Sequence, residues 1–176
     1  MEKSKTYGIQ FAGLKDGKHT FDYQVDNHFF EEEFQYKEFN NARVNIHLLL
    51  HKKPNMLELF FTVSGFVNVN CDVTNEPYDQ SIEGDLDLVI KFGDQFEDNG
   101  EILILPYGAH EVNIKQYIYE AVVLAVPLKK VHPKVLDGTM DSPILDKLEE
   151  LSPGNKSKKE ETDPRWDDLK KLLNEK

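Results

Sequence analysis

One cysteine, Cys71, one tryptophan and no long apolar run are what this 176-residue chain has least of, and each scarcity excludes something. A lone cysteine cannot close an intramolecular disulfide or build a multi-cysteine zinc site within one chain. The longest apolar region, between Glu120 and Lys129, falls well short of the roughly 18 to 20 residues of a membrane span. Met1 to Tyr7 lacks the apolar centre of a signal peptide, so the protein is expected in the cytosol. Basic residues are outnumbered, 21 against 32 acidic ones, and the net charge of -11 opposes a diffuse grip on nucleic-acid phosphates. That balance suits a basic protein partner, or is simply the acidity of a soluble bacterial-type protein.

Catalytic patterns are missing as well. Serine is sparse and has no histidine motif beside it, there is no glycine-rich phosphate loop, and no base lies near Cys71 in sequence. His47 and His51 have the spacing that holds zinc on a helix. Their surroundings alternate like a strand, which puts them about 13 Å apart at ~3.3 Å per residue. Asp85 and Asp87, with Glu83 continuing the row, can flank a magnesium ion or simply keep an outer strand face soluble. A metal-dependent nuclease using Asp85 and Asp87 is the enzymatic alternative. The main expectation is a protein that is not an enzyme, with no cofactor, no metal and no small-molecule substrate.

What is present is alternation. Tyr7, Ile9 and Phe11, then the Asp16-Gly17 turn, then Phe21, Tyr23 and Val25 predict an opening hairpin. Phe29 to Phe34 predicts a short helix introduced by Asp26 or Asn27, with Glu31, Glu32 and Glu33 on its solvated face. Val44 to Leu50 and Leu57 to Val63 alternate on either side of Lys53-Pro54-Asn55, a second hairpin. Val67, Val69 and Cys71 keep that parity past Gly65, so one long strand bent at the glycine should point Cys71 into the core. Ile82 to Phe92 predicts another strand. Asp98-Asn99-Gly100 predicts a turn into Ile102 to Leu105, ended by Pro106.

Asn113 to Val126 starts and stops like one helix. Asn113 can cap it, Gln116 can reach back as the capping-box partner, and Pro127 ends it. Ile114, Tyr117, Ile118, Ala121, Val122 and Ala125 share a face, while Val123, Leu124 and Val126 spread apolarity around the rest, predicting near-complete burial. Glu120, its one central acid, either lies on a polar edge with Gln116 or pairs with a basic partner across a groove. Pro143 should open a short helix from Ser142 to Leu151.

The expected architecture is α+β: an antiparallel β meander, as an open sheet or a partly closed barrel, covered by the Asn113 to Val126 helix. Residues 1–151 form the domain, 152–162 a flexible linker, and 163–176 a terminal amphipathic helix. Asp163 caps that helix, Pro164 starts it, and Trp166, Leu169, Leu172 and Leu173 form its stripe.

Three blocks in this order resemble the YceD-like large ribosomal RNA subunit accumulation protein family. They are Gly65-Phe66-Val67-Asn68-Val69-Asn70-Cys71-Asp72, the helix with Tyr117-Ile118-Tyr119-Glu120 that ends at Pro127, and Asp163-Pro164-Arg165-Trp166-Asp167-Asp168-Leu169. Members commonly carry a C-x-x-C at the strand end, where this chain has Cys71 and Thr74. A cysteine-rich segment often follows the helix, where this chain has Lys129-Lys130-Val131-His132-Pro133. Zinc binding is therefore not carried over. The resemblance implies a non-enzymatic cytosolic factor for synthesis, processing or stability of 23S ribosomal RNA, acting on a ribosomal protein or ribosomal RNA of the large subunit. The contact candidates are Glu120, Lys129, Lys130, Asp163, Pro164, Arg165 and Trp166, with Cys71 and Asp72 as the family-motif positions. Direct RNA contact would fall to local lysines such as Lys52, Lys53, Lys129, Lys130, Lys156, Lys158 and Lys159.

Overall fold

A computed structural model describes residues 7–98, 100 and 102–152. Two compact units divide the chain, Met1–Thr139 and Met140–Lys176. In the first, the elements are β1 (Gly8–Ile9), β2 (Gly17–Asp26), α1 (Asn27–Phe34), β3 (Asn41–Lys53), β4 (Met56–Asn70), β5 (Pro77–Gly93), β6 (Glu97–Asp98), β7 (Ile102–Pro106), β8 (Val112–Asn113), α2 (Lys115–Ala125) and α3 (Pro133–Leu136). In the second, α4 (Pro143–Leu151) is capped by the Ser142 hydroxyl, which accepts from the Ile144 N–H at 3.4 Å. The predicted linker beyond Ser152 and the terminal helix with its stripe lie outside the described residues.

Strict alternation produces the sheet. Val44, Ile46, Leu48 and Leu50 of β3 and Leu57, Leu59, Phe61 and Val63 of β4 are all buried, while Asn45, His47, Thr62 and Ser64 between them face outward. Lys53 pairs with Met56 across the Pro54-Asn55 turn, so the predicted second hairpin forms as read. β4 continues through Gly65 without a break in register, and Val67, Val69 and Cys71 stay on the inner face. At Gly65 the neighbouring strand comes so close that a Cβ would sit 2.3 Å from the Arg43 carbonyl oxygen.

Two corrections concern pairing. β2 does not turn back onto β1: it pairs antiparallel with β3, and β1 instead pairs with β8, Ile9 opposite Val112. Apolar alternation sets which face of a strand is buried but leaves its partner open, and the Ile9 and Phe11 side chains find their burial against later parts of the chain. The meander also fails after β5. The strand order is β2-β3-β4-β5-β7-β6, and β7 runs parallel to β5. After Gly93 the chain forms β6 at the outer position, and β7 doubles back into the gap. Between them the Gly100 N–H donates to the Asp98 side chain at 2.9 Å, and β6 pairs antiparallel with β7. Among the described residues the sheet is mixed and not closed, its end strands β2 and β6 unpaired with each other.

α2 packs on β5 and β4 through Tyr117, Ile118, Ala121 and Val122. At Gly84 of β5 a Cβ would meet the Ala125 Cβ at 2.9 Å, so the glycine lets the end of α2 lie close to the sheet. Burial is less complete than the sequence predicts: Leu124 is 74% exposed. The cap differs too. The Asn113 side chain accepts from the Lys115 N–H at 2.9 Å, but Gln116 donates forward to Glu120 at 2.8 Å instead of reaching back. Pairing of Asn113 with Gly8 and the Ile114 N–H bond to the Tyr7 carbonyl hold that entry turn to the first strand.

α1 forms where predicted, with Phe29 and Phe30 buried and Glu31, Glu32 and Glu33 exposed. Asp26 occupies the cap position without a side-chain hydrogen bond. Gln35 in the left-handed region ends the helix, its N–H bonded to the Glu31 carbonyl and that of Tyr36 to the Phe30 carbonyl, which satisfies the carbonyls of the last turn. Glu33 forms an ion pair with Lys115, tying α1 to the start of α2.

Candidate functional site

The two family-motif positions, Cys71 and Asp72, sit where β4 leaves the sheet and meet the loop that follows α2. Asp72 makes a reciprocal pair with Lys130: its N–H donates to the Lys130 carbonyl at 2.7 Å, and its carboxylate accepts from the Lys130 N–H at 2.6 Å. One residue earlier, the Cys71 sulfur accepts from the His132 N–H at 3.3 Å. The turn itself is closed by the Asn75 N–H to the Cys71 carbonyl and the Cys71 N–H to the Glu76 carbonyl, with Asn75 in the left-handed region. His132 caps α3 by accepting from the Lys134 N–H and lays its ring beside Tyr78, centroids 5.2 Å apart. These contacts form a clasp between the end of β4 and the loop from Lys129 to Pro133.

The thiol of Cys71 is 2% exposed. Burial opposes its ionisation. Against that, the His132 N–H bonded to the sulfur and the nearby polar groups of Thr74 and Val73 together bring the thiol down to about 7. The Thr74 hydroxyl is buried beside the sulfur without a hydrogen-bond partner among the described residues.

A thiol whose folded value lies below its ordinary 9.0 favours the folded state as pH rises, because between about 7 and 9.0 only the unfolded chain still holds the proton. The stabilisation is complete above 9.0 and lost as pH falls through about 7. Cys71→Ser should therefore fall behind the wild type by an additional ~2 kcal/mol on going from below pH 7 to pH 9. Urea unfolding across that range measures it, and a gap between the two proteins that does not change with pH would sink the idea.

Of the other sequence candidates, Lys129 and Lys130 belong to this clasp region, Lys129 exposed and Lys130 half-buried. Glu120 lies apart on α2, half-buried and bonded to Gln116, which is the polar-edge arrangement. Asp163, Pro164, Arg165 and Trp166 lie outside the described residues, as do Lys156, Lys158 and Lys159. Lys52 and Lys53 are committed within the fold: Lys52 donates to the carbonyls of Phe11 and Leu14, and Lys53 pairs with Glu58. His47 pairs with Asp22 and His51 with Glu58, on the outward side of β3. Asp85 and Asp87 project from the outer face of β5. Among the described residues no three His, Cys, Asp or Glu side chains gather as metal ligands. Nothing in this geometry favours a metal-dependent nuclease. The role of His132 was not legible beforehand, since its contact with Cys71 spans 61 residues of chain.

Among the described residues no helix is long and apolar enough to cross a membrane. The family model described as large ribosomal RNA subunit accumulation protein YceD matches residues 59–173, more than half of the chain. The match takes in the clasp, Glu120 and the Asp163 to Trp166 block. Comparison with curated proteins and with solved structures gives no significant match.

Proposed function

Because the chain belongs to the YceD family of large ribosomal RNA subunit accumulation proteins, we propose that it is a non-enzymatic factor supporting 23S ribosomal RNA and large-subunit biogenesis, acting through a basic ribosomal protein. The family match over residues 59–173 carries the reading. The choice of protein over RNA as the direct contact rests on charge. A net charge of -11 repels phosphates, and two of the lysines that might have met RNA are occupied inside the fold. Lys129, exposed beside the clasp, Glu120, and the Asp163 to Trp166 block are the residues we assign to contact.

Depletion of the protein followed by ribosomal-RNA profiling tests the reading. Large-subunit RNA should fall relative to small-subunit RNA, and nuclease-treated affinity capture from the same cells should retain a large-subunit ribosomal protein. Normal large-subunit RNA in depleted cells would remove it. Binding to purified RNA that is indifferent to salt and needs no ribosomal protein would reverse the choice of partner.

A further inference from the structure

We propose that the outward face of the six-stranded sheet docks an extended, arginine- or lysine-rich protein segment, with Phe60 as its apolar anchor and Glu83, Asp85 and Asp87 as its charge ladder. The inference rests on the preceding reading insofar as the partner is a basic protein, and it adds the surface that partner would use.

Among the described residues, this face carries apolar side chains that stay partly exposed. β4 lies third in the strand order, and its inward residues Leu59 and Phe61 are fully buried. The residue between them, Phe60, points the other way and is 38% exposed; Phe66, further along the same strand, is 56% exposed. Leu49 stands directly opposite Phe60 on β3, and Val89 stands opposite Ile102 where β5 meets β7, so partly exposed apolar groups cross four strands. Water-facing positions of an antiparallel sheet are ordinarily polar, and an aromatic side chain left there in mid-sheet is an unused contact surface.

Charge decides what covers it. Glu83, Asp85 and Asp87 occupy alternate outward positions of β5, facing Ser64, Thr62 and Phe60 of β4. They form no ion pair among the described residues. The three register rows that contain them, Gln24-Asn45-Ser64-Glu83, Asp22-His47-Thr62-Asp85 and Thr20-Leu49-Phe60-Asp87, hold no lysine or arginine. The one imidazole in those rows, His47, is bonded to Asp22. Alternate residues of a strand are about 6.6 to 6.8 Å apart, and one face of an extended peptide has the same repeat. A segment with basic residues at every second position therefore meets each carboxylate in turn, and Phe60, directly across from Asp87 on β4, gives it an apolar contact beside the last of them. Phosphate would meet the same carboxylates with repulsion, so RNA does not fit this face.

Fluorescence anisotropy with full-length protein and a labelled peptide of alternating arginine and valine tests the docking. The wild type should bind it. Asp85→Asn with Asp87→Asn should weaken binding about 10-fold at low salt, with the loss shrinking as salt rises. Phe60→Ser should weaken it about 10-fold with little salt dependence. Asp137→Asn with Asp141→Asn, an equal charge change elsewhere, should leave affinity within about 2-fold. Unchanged melting temperatures would establish that these exposed substitutions leave the fold intact.

No binding by the wild type, equal losses in the control pair, a uridine oligonucleotide held by the same residues, or a wild-type dimer dissolved by Phe60→Ser would each overturn the proposal. Rescue of depleted cells separates it from the ribosomal reading. If large-subunit RNA falls on depletion and the Asp85→Asn, Asp87→Asn protein restores it fully, the docking face is wrong and the ribosomal reading stands. If depletion leaves that RNA normal, the ribosomal reading fails whatever the peptide does.

Discussion

Gly65→Ala should cost roughly 3 kcal/mol or more of stability, a large loss for the addition of one methyl group. The Cβ it introduces would lie 2.3 Å from the Arg43 carbonyl oxygen and 2.8 Å from the Val44 Cα, both backbone atoms. Neither can swing aside as a side-chain tip would. Val44 is fully buried, and β3 is paired on both sides, to β2 through Val25 and to β4 through Gly65 itself. Relief therefore requires two strands to separate or β4 to lose register, and losing register would turn Val67, Val69 and Cys71 outward. Gly108→Ala is the matched control: nothing lies within 4 Å of a Cβ there, and its effect should stay within about 0.5 kcal/mol. Urea unfolding of both variants gives the comparison, and a Gly65→Ala protein within ~1 kcal/mol of the wild type would show that the strands do not approach this closely.

Phe30→Ala should have an effect of similar size, about 3 to 5 kcal/mol. Phe30 is 0% exposed and stands at the centre of an aromatic cluster. Its ring meets Phe29 at 5.2 Å and Phe39 at 5.1 Å, both edge-on, with Tyr36 and Tyr119 further out. Phe34 stacks on Tyr119 at 4.2 Å beside it. The cluster joins α1, the segment after it and α2, so the missing ring leaves a cavity bounded by three separate pieces of chain. Phe30→Leu should recover more than half of the loss, and near-ultraviolet circular dichroism should weaken in step with stability. A cost below ~1.5 kcal/mol for Phe30→Ala would mean that the cluster collapses to fill the gap.

What the sequence made legible was what nearest neighbours decide. The β3–β4 hairpin followed from parity around Pro54-Asn55, and the inward Cys71 from counting by twos past Gly65. The place of α2 followed from its apolar face and Pro127, but its N-cap is Ile114, one residue past the predicted Asn113, which belongs to β8. What stayed hidden was the choice among distant partners that local pattern treats as equivalent. Ile9 could satisfy its apolar side against β2 or against β8, and β7 could join β5 in either direction. Gln116 could donate backward or, at i,i+4 spacing, to Glu120, and local pattern does not rank the two. The candidate site divides in the same way. Cys71 and Asp72 were readable as a motif, but their partners lie 61 and 58 residues away, and no spacing rule connects them.

The pairing of β1 with β8 also sets an order of events during synthesis. Gly8 and Ile9 are made about a hundred residues before their partners Asn113 and Val112. At about 5 to 20 residues per second, the first strand waits on the order of 5 to 20 seconds for its place. Meanwhile β2, β3, β4 and β5 can close as successive neighbours. The strand β1 is thus held over until the entry to α2 exists, and its docking fixes the turn from which that helix begins.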